Sequence, residues 1–310
     1  MLKRFSTFAI ALIVAGATAA ASAASRPIPR ISRVLLVSID GLRPDVLLRA
    51  KAPVIQGLMA RGSFTMWART TALAVTLPSH TSMLTGVPPS KHGVTWNDPP
   101  RQERQVYPAW PTLFELARAD GYTTAMVTGK SKFVTLAKPK TLDWSYVPTG
   151  SVIKDGTVAD TTVRWVERFA PEVLFVHLPG VDTAGHSKGW GSAEQLEAVA
   201  KADQCIGRIL DAMKTKGVLD STFILVTSDH GGAGKSHGPE DPRSLTIPWI
   251  AAGPDVRAGL DLTVEKDLSV ETEDTFATLC YLLGIEPPRP IDGRPVTQIF
   301  RDAPERAQRP

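Results

Sequence analysis

Two cysteines, Cys205 and Cys280, are all the chain of 310 residues contains. Neither has the spacing of a metal site, so cysteine-based zinc binding and thiol catalysis are disfavoured. In an exported protein the two thiols could pair; buried free thiols fit their amphipathic helical surroundings as well. No basic stretch is interleaved with aromatics, which removes the usual argument for nucleic-acid binding. Long hydrophobic runs are also missing beyond the N-terminus, and no later segment is long enough to span a bilayer. Internal repeats and low-complexity tracts are absent beyond the same leader. The charge is nearly balanced. The formal value is +4, and the 35 basic residues less Lys3 and Arg4, set against 31 acidic ones, leave +2.

The N-terminus is where apolar residues do concentrate. Lys3 and Arg4 precede the apolar stretch Phe8 to Val14, and Ala21-Ser22-Ala23 satisfies the small-residue cleavage rule. Residues 1–23 therefore read as a signal peptide rather than an uncleaved anchor. The mature chain is expected to be exported, to a periplasm or beyond. Residues 24–310 read as a single domain.

Strand-like and helix-like segments alternate through that domain. Apolar strands are expected at Arg33–Ile39, Phe64–Ala68, Thr123–Val127, Val173–His177, Phe223–Thr227 and Ile247–Ala252. Helices are expected at Ala52–Arg61, Thr112–Ala119, Thr157–Phe169, Ser192–Lys216 and Thr275–Leu283, the last stopped by Gly284. Strands that are apolar throughout and separated by helices imply an α/β fold, a mostly parallel central sheet with helices on both faces. Sites in such folds gather at the carboxyl ends of the strands.

Those ends carry the chemistry. The first strand runs into Asp40. Beyond the strand at 173–177 come Asp182 and His186, and the strand at 223–227 runs into Asp229-His230, with His237 further on. Three carboxylates and three imidazoles suffice for two metals with mixed nitrogen and oxygen ligation. That suits zinc, and manganese or iron less well. Thr76 stands just before a helical run ending at Thr85-Gly86. A hydroxyl there is an N-cap or, because helix-start amides face anions, part of a phosphate site. Asn97 reads as a turn residue or an amide donor. Lys130 and Lys132 come after a strand end, on a solvated loop or beside the site. His80 and His92 read as structural, and His177 as a satisfied core histidine.

The order Asp40, Thr76, Asp182/His186, Asp229-His230, His237 resembles the alkaline phosphatase superfamily. The nearest branch holds type I phosphodiesterases/nucleotide pyrophosphatases, phosphonoacetate hydrolases and threonine-type alkaline phosphatases. The likeness runs from Ser38-Ile39-Asp40-Gly41 to Ile291-Asp292-Gly293-Arg294-Pro295. It implies two Zn2+ per chain, one held by Asp182, His186 and His237 and the other by Asp40, Asp229 and His230. Thr76, in preference to Ser79, would be the metal-activated nucleophile and would form a phosphothreonine. Asn97 would hold a non-bridging oxygen. A Lys-x-Lys such as Lys130 and Lys132 is similar to the phosphonoacetate hydrolases and threonine-type phosphatases, and would favour a substrate with extra negative charge. Thr76-Leu77-Pro78-Ser79-His80 also resembles a sulfatase site, but threonine cannot become the formylglycine that sulfatases need. Phosphate monoesters, phosphodiesters and phosphonates stay open as small-molecule substrates. So does a secreted binding protein of the same fold without catalysis.

Overall fold

Continuous apolar strands have no polar face to offer water, so both faces of their sheet must be covered. The computed structural model describes residues 26–98, 106–265, 268–287 and 289–301 and has this arrangement. Eight strands make one sheet: β1 Arg33–Ile39, β2 Ser63–Arg69, β3 Thr124–Val127, β4 Trp144–Tyr146, β5 Val173–Leu178, β6 Thr222–Thr227, β7 Thr246–Ala252 and β8 Leu260–Asp261. Their spatial order is β4-β3-β5-β1-β6-β7-β2-β8. From β4 to β6 every neighbouring pair is parallel. β7 runs antiparallel to both β6 and β2, whereas β2 and β8 are parallel. The mostly parallel expectation holds. The reversal at β7 arises because the chain leaves β6 and re-enters the sheet from the same end, which only an antiparallel neighbour allows.

The helices are α1 Pro44–Arg49, α2 Pro53–Arg61, α3 Thr76–Thr85, α4 Pro89–His92, α5 Leu113–Ala119, α6 Asp155–Phe169, α7 Gly180–Lys188, α8 Ala193–Thr215, α9 Pro242–Leu245 and α10 Thr272–Leu283. Alternation along β1 divides the core in two. Val34 and Leu36 pack with Leu77 of α3, Phe114 of α5 and Phe276 of α10. Leu35, Val37 and Ile39 pack on the other face with Val46 of α1, Ile55 of α2, Val158 of α6 and Ile206 of α8. Cys280 belongs to the first layer and Cys205 to the second; both are buried and free, so they do not pair.

Expected and observed elements differ mainly where local signal is weak. β4 and β8 have three and two residues, too few to show a period. α7 carries Gly180 and Gly185 and no apolar stripe. Thr76 is the first residue of α3, with Val75 as its N-cap, so it is not the capping hydroxyl that its position suggested. No helix among the described residues is long and apolar enough to cross a membrane. The leader expected over 1–23 lies outside the described residues.

Candidate metal centre

β5, β1 and β6 lie side by side and parallel, so the segments leaving their carboxyl ends converge. Asp40 leaves β1 directly, and Asp229 and His230 lie just beyond β6. Asp182 and His186 lie one turn apart on α7, and so share a face of that helix. His237 comes from the loop between β6 and α9. The six residues form two triads, Asp40/Asp229/His230 and Asp182/His186/His237, within each of which candidate ligand atoms lie inside 4.8 Å. The triads abut: the rings of His230 and His237 stack with centroids 3.7 Å apart. Gly41 makes the convergence possible. Its φ is +72°, and a Cβ there would come within 3.0 Å of Asp182.

Each ligand has one atom tied to the protein and another left over. The three imidazoles donate from Nδ1 to backbone carbonyls: His230 to Gly231 (2.8 Å), His186 to Lys235 (3.0 Å) and His237 to Ala74 (2.9 Å). That tautomer leaves Nε2 with a bare lone pair. Asp40 Oδ2 accepts from His177 Nε2 (2.8 Å) and pairs with Lys130 Nζ (2.7 Å). Asp182 Oδ2 accepts from Lys130 (2.6 Å), and Asp229 Oδ1 accepts from the Gly41 amide (3.1 Å). The remaining atoms are Asp40 Oδ1, Asp182 Oδ1, Asp229 Oδ2 and His230 Nε2, all buried and without a hydrogen-bond partner. His230 Nε2 faces Asp40 Oδ1 at 3.4 Å and Asp229 Oδ2 at 3.3 Å. His186 Nε2 faces Asp182 Oδ1 at 3.2 Å and His237 Nε2 faces it at 3.8 Å. Buried lone pairs aimed at one another are costly unless a cation lies among them. The donor set therefore fits two divalent metals with nitrogen and oxygen ligands.

Electrostatics separate the carboxylates. Burial by itself would raise Asp40, but the Lys130 ammonium and the His177 bond outweigh it and hold Asp40 well below its ordinary range. Burial and then the negative charge of Asp40 push Asp229 up to about 6. Burial lowers His237 to about 4, aided by His230, while the neighbouring Asp182 carboxylate raises His186.

Thr76 is 1% exposed at the start of α3. Its Oγ1 lies 3.4 Å from Lys130 Nζ, and its carbonyl accepts from His80 Nδ1 at 2.7 Å. His80 also bonds Ser38, and burial lowers it to about 3. His92 meets Ser82 and the Val94 amide. Both lie in buried structural positions. Two residues before Thr76, Ala74 has a φ of +46°, a conformation costing about 1–2 kcal/mol for a residue with a Cβ, and its carbonyl is the one that holds His237. Asn97 Oδ1 accepts from the Leu77 amide at 2.9 Å. Pro78 has no amide to give, so Thr76 N–H and Asn97 Nδ2 are the donors this helix end offers an anion.

The two lysines have different surroundings. Lys130 is buried and paired to one carboxylate of each triad. Lys132 is half-buried and lines a cleft of about 530 Å³ with Lys130, Val152, Asp182, Thr183 and His186. Burial first, and then the neighbouring Lys130 charge, lower its pKa. Sequence reading missed two contributors. His177 is satisfied in the core as expected, but its partner is Asp40. Trp190, which donates to the Gly41 carbonyl and packs beside His186 and His237, carried no signal; only the adjoining Gly-Trp-Gly hinted at a close approach.

The chain belongs to the type I phosphodiesterase/nucleotide pyrophosphatase family, whose model matches residues 34–242. It is 27% identical over 219 residues to ectonucleotide pyrophosphatase/phosphodiesterase family member 1 of Rattus norvegicus, an alignment covering 64% of this chain and 24% of the relative. The chain thus spans about a quarter of that relative's length. Among solved structures, murine ectonucleotide pyrophosphatase/phosphodiesterase 5 superposes with a TM-score of 0.72 at 14% identity, covering 87% of this chain and all of that one. Phosphonate monoester hydrolase of Agrobacterium radiobacter gives 0.65 at 19%, covering 90% and 79%. These likenesses place the fold in the alkaline-phosphatase-like class.

Proposed function

We propose that this protein is an exported, zinc-dependent phosphoesterase, formed by one domain over residues 24–310 and working through a phosphothreonine at Thr76. The observation that carries the reading is the six-ligand set around Thr76, each ligand with one atom anchored and one presented. Asp40, Asp229 and His230 would hold one zinc, with Thr76 alongside, and Asp182, His186 and His237 the other. Zinc bound there would act as a Lewis acid on phosphoryl oxygens and favour ionisation of the Thr76 hydroxyl. Thr76 Oγ1 loses its proton and forms a bond to phosphorus while the bond from phosphorus to the leaving group (an ester oxygen, or the carbon of a phosphonate) breaks. The leaving group takes up a proton, and water later hydrolyses the phosphothreonine to free phosphate and the threonine hydroxyl. Asn97 Nδ2 and the Thr76 amide donate to non-bridging oxygens. Lys130 supplies positive charge 3.4 Å from the attacking atom. The murine structural neighbour was captured in an inactive form with AMP, which supports a phosphate-bearing small molecule as the ligand class.

Lys132 bears on the choice of substrate. It is an ammonium in the cleft with no hydrogen bond or ion pair among the described residues, and it favours a substrate with a further negative charge. A phosphomonoester, or a phosphonate bearing a carboxylate, offers that charge; a simple diester offers less. The complete ligand set argues against a binding protein that has lost catalysis. Thr76→Ala should lower kcat at least about 10³-fold on p-nitrophenyl phosphate and its bis ester while zinc content stays unchanged. Acid-quenched wild type should carry a covalent phosphate that the variant lacks. Retained turnover in the variant would sink the nucleophile assignment.

A further inference from the structure

His177 sits where two strand ends meet. β5 lies between β3 and β1. In register, Val176 pairs with Val127, the last residue of β3, and His177 pairs with Ser38, two residues before Asp40. The side chain is wholly buried. The ring is clamped by Phe133, with centroids 4.4 Å apart, and by the edge of His80 at 5.1 Å. Both nitrogens are committed. Nδ1 accepts from the Gly129 amide at 3.2 Å, which leaves the proton on Nε2, and Nε2 donates to Asp40 Oδ2 at 2.8 Å.

Gly129 is held from its other side too. A Cβ there would fall 2.3 Å from the Pro179 ring, so the backbone entering Lys130 is wedged between His177 and Pro179. Lys130 Nζ then reaches the same Asp40 Oδ2 at 2.7 Å. With two donors on Oδ2, Asp40 is left to present Oδ1 to His230. One ring therefore sets both the rotation of a metal ligand and the position of the loop that carries the lysine nearest Thr76.

We infer that His177 is the positioning residue that couples the Lys130 loop to the Asp40 triad; the inference rests on that triad holding zinc. Amide replacements separate the two bonds. His177→Asn leaves an acceptor near the Nδ1 position for Gly129 and removes the donor to Asp40. His177→Gln places a donor near the Nε2 position for Asp40 and removes the acceptor for Gly129. Zinc affinity is read by chelator competition on the zinc-loaded proteins, and loop position by the Ki of inorganic phosphate. His177→Asn should weaken one of the two zinc sites about 10–100-fold, with the phosphate Ki of the fully loaded protein changed less than about threefold. His177→Gln should keep both zinc affinities within about threefold and raise the phosphate Ki about tenfold. Equal effects of the two variants on both readouts, or no effect of either, would overturn the coupling. A wild-type chain that takes up no zinc would overturn the metal reading itself. Nitrogen-15 spectra of the unsubstituted protein give a test independent of variant folding. His177 should carry its proton on Nε2, and a proton on Nδ1 would sink the assignment.

Discussion

The two triads use similar residues and differ in how the chain holds them. Asp40, Asp229 and His230 come off adjacent central strands and have no solvent exposure. Asp182, His186 and His237 come from one helix and one loop, and the His186 side chain is 45% exposed. Strand ends in the middle of a sheet are fixed by hydrogen bonding on both sides. A helix turn and a surface loop are fixed only by what packs against them. The first triad is therefore the preorganised one, and the second is the place where ligand geometry can relax and where the cleft opens.

The largest effect should come from the buried triad. Asp40→Asn removes the presented oxygen and sets an amide group against Lys130 and His177. Turnover should fall at least about 10³-fold. The chelator-treated protein should lose about 3–5 kcal/mol of unfolding free energy, because Lys130 keeps Asp182 but loses Asp40 as a buried anionic partner. Urea titration checks this, and a loss under about 1 kcal/mol would show that the site is less rigid than its burial implies.

His186→Ala on the exposed triad should act mainly on metal. One zinc should bind at least about 100-fold more weakly, while unfolding free energy without metal changes by less than about 0.5 kcal/mol. In the unsubstituted protein, zinc loss to a chelator should then be biphasic, with the exposed site emptying first. Release of both metals at one rate would erase the distinction between the triads.

The smallest effect on turnover concerns the helix under the exposed triad. Asp155 accepts from the Gly180 amide at the start of α7, and burial raises it to about 6. Its folded pKa lies above the ordinary carboxylate value, so the folded state binds the proton more tightly. Stability should therefore fall as pH rises from about 4 to about 6, by up to about 3 kcal/mol. Asp155→Asn keeps an acceptor for Gly180 and should flatten that slope, with turnover at pH 7.5 changed less than about twofold. Denaturation midpoints at about pH 4.5 and 7.5 measure it; an unchanged slope would assign the titration elsewhere.

Much of the fold was legible because its signals are local. The six expected strands and five expected helices lie within a few residues of the observed elements. Thr112 shows why: its hydroxyl and the Glu115 carboxylate form a capping box that marks the helix start in four residues. α7 was not legible, since two glycines and two metal-type ligands leave it no apolar stripe. The antiparallel course of β7 was not legible either, because an apolar run reads the same in both directions.

The amino-acid sequence by itself determined which side chains were available for the chemistry. Asp40, Asp229 and His230 come after apolar runs whose ends are visible residue by residue, and Thr76 stands at a recognisable helix start. Tertiary structure alone decided which atoms are presented. That Lys130 spends its charge on Asp40 and Asp182, and that a histidine inside β5 turns Oδ1 of Asp40 toward His230, depends on the order β3-β5-β1-β6. The His177–Asp40 bond alone joins residues 137 positions apart. No local pattern encodes such a contact; it exists once non-neighbouring strands have paired and closed the space between their ends.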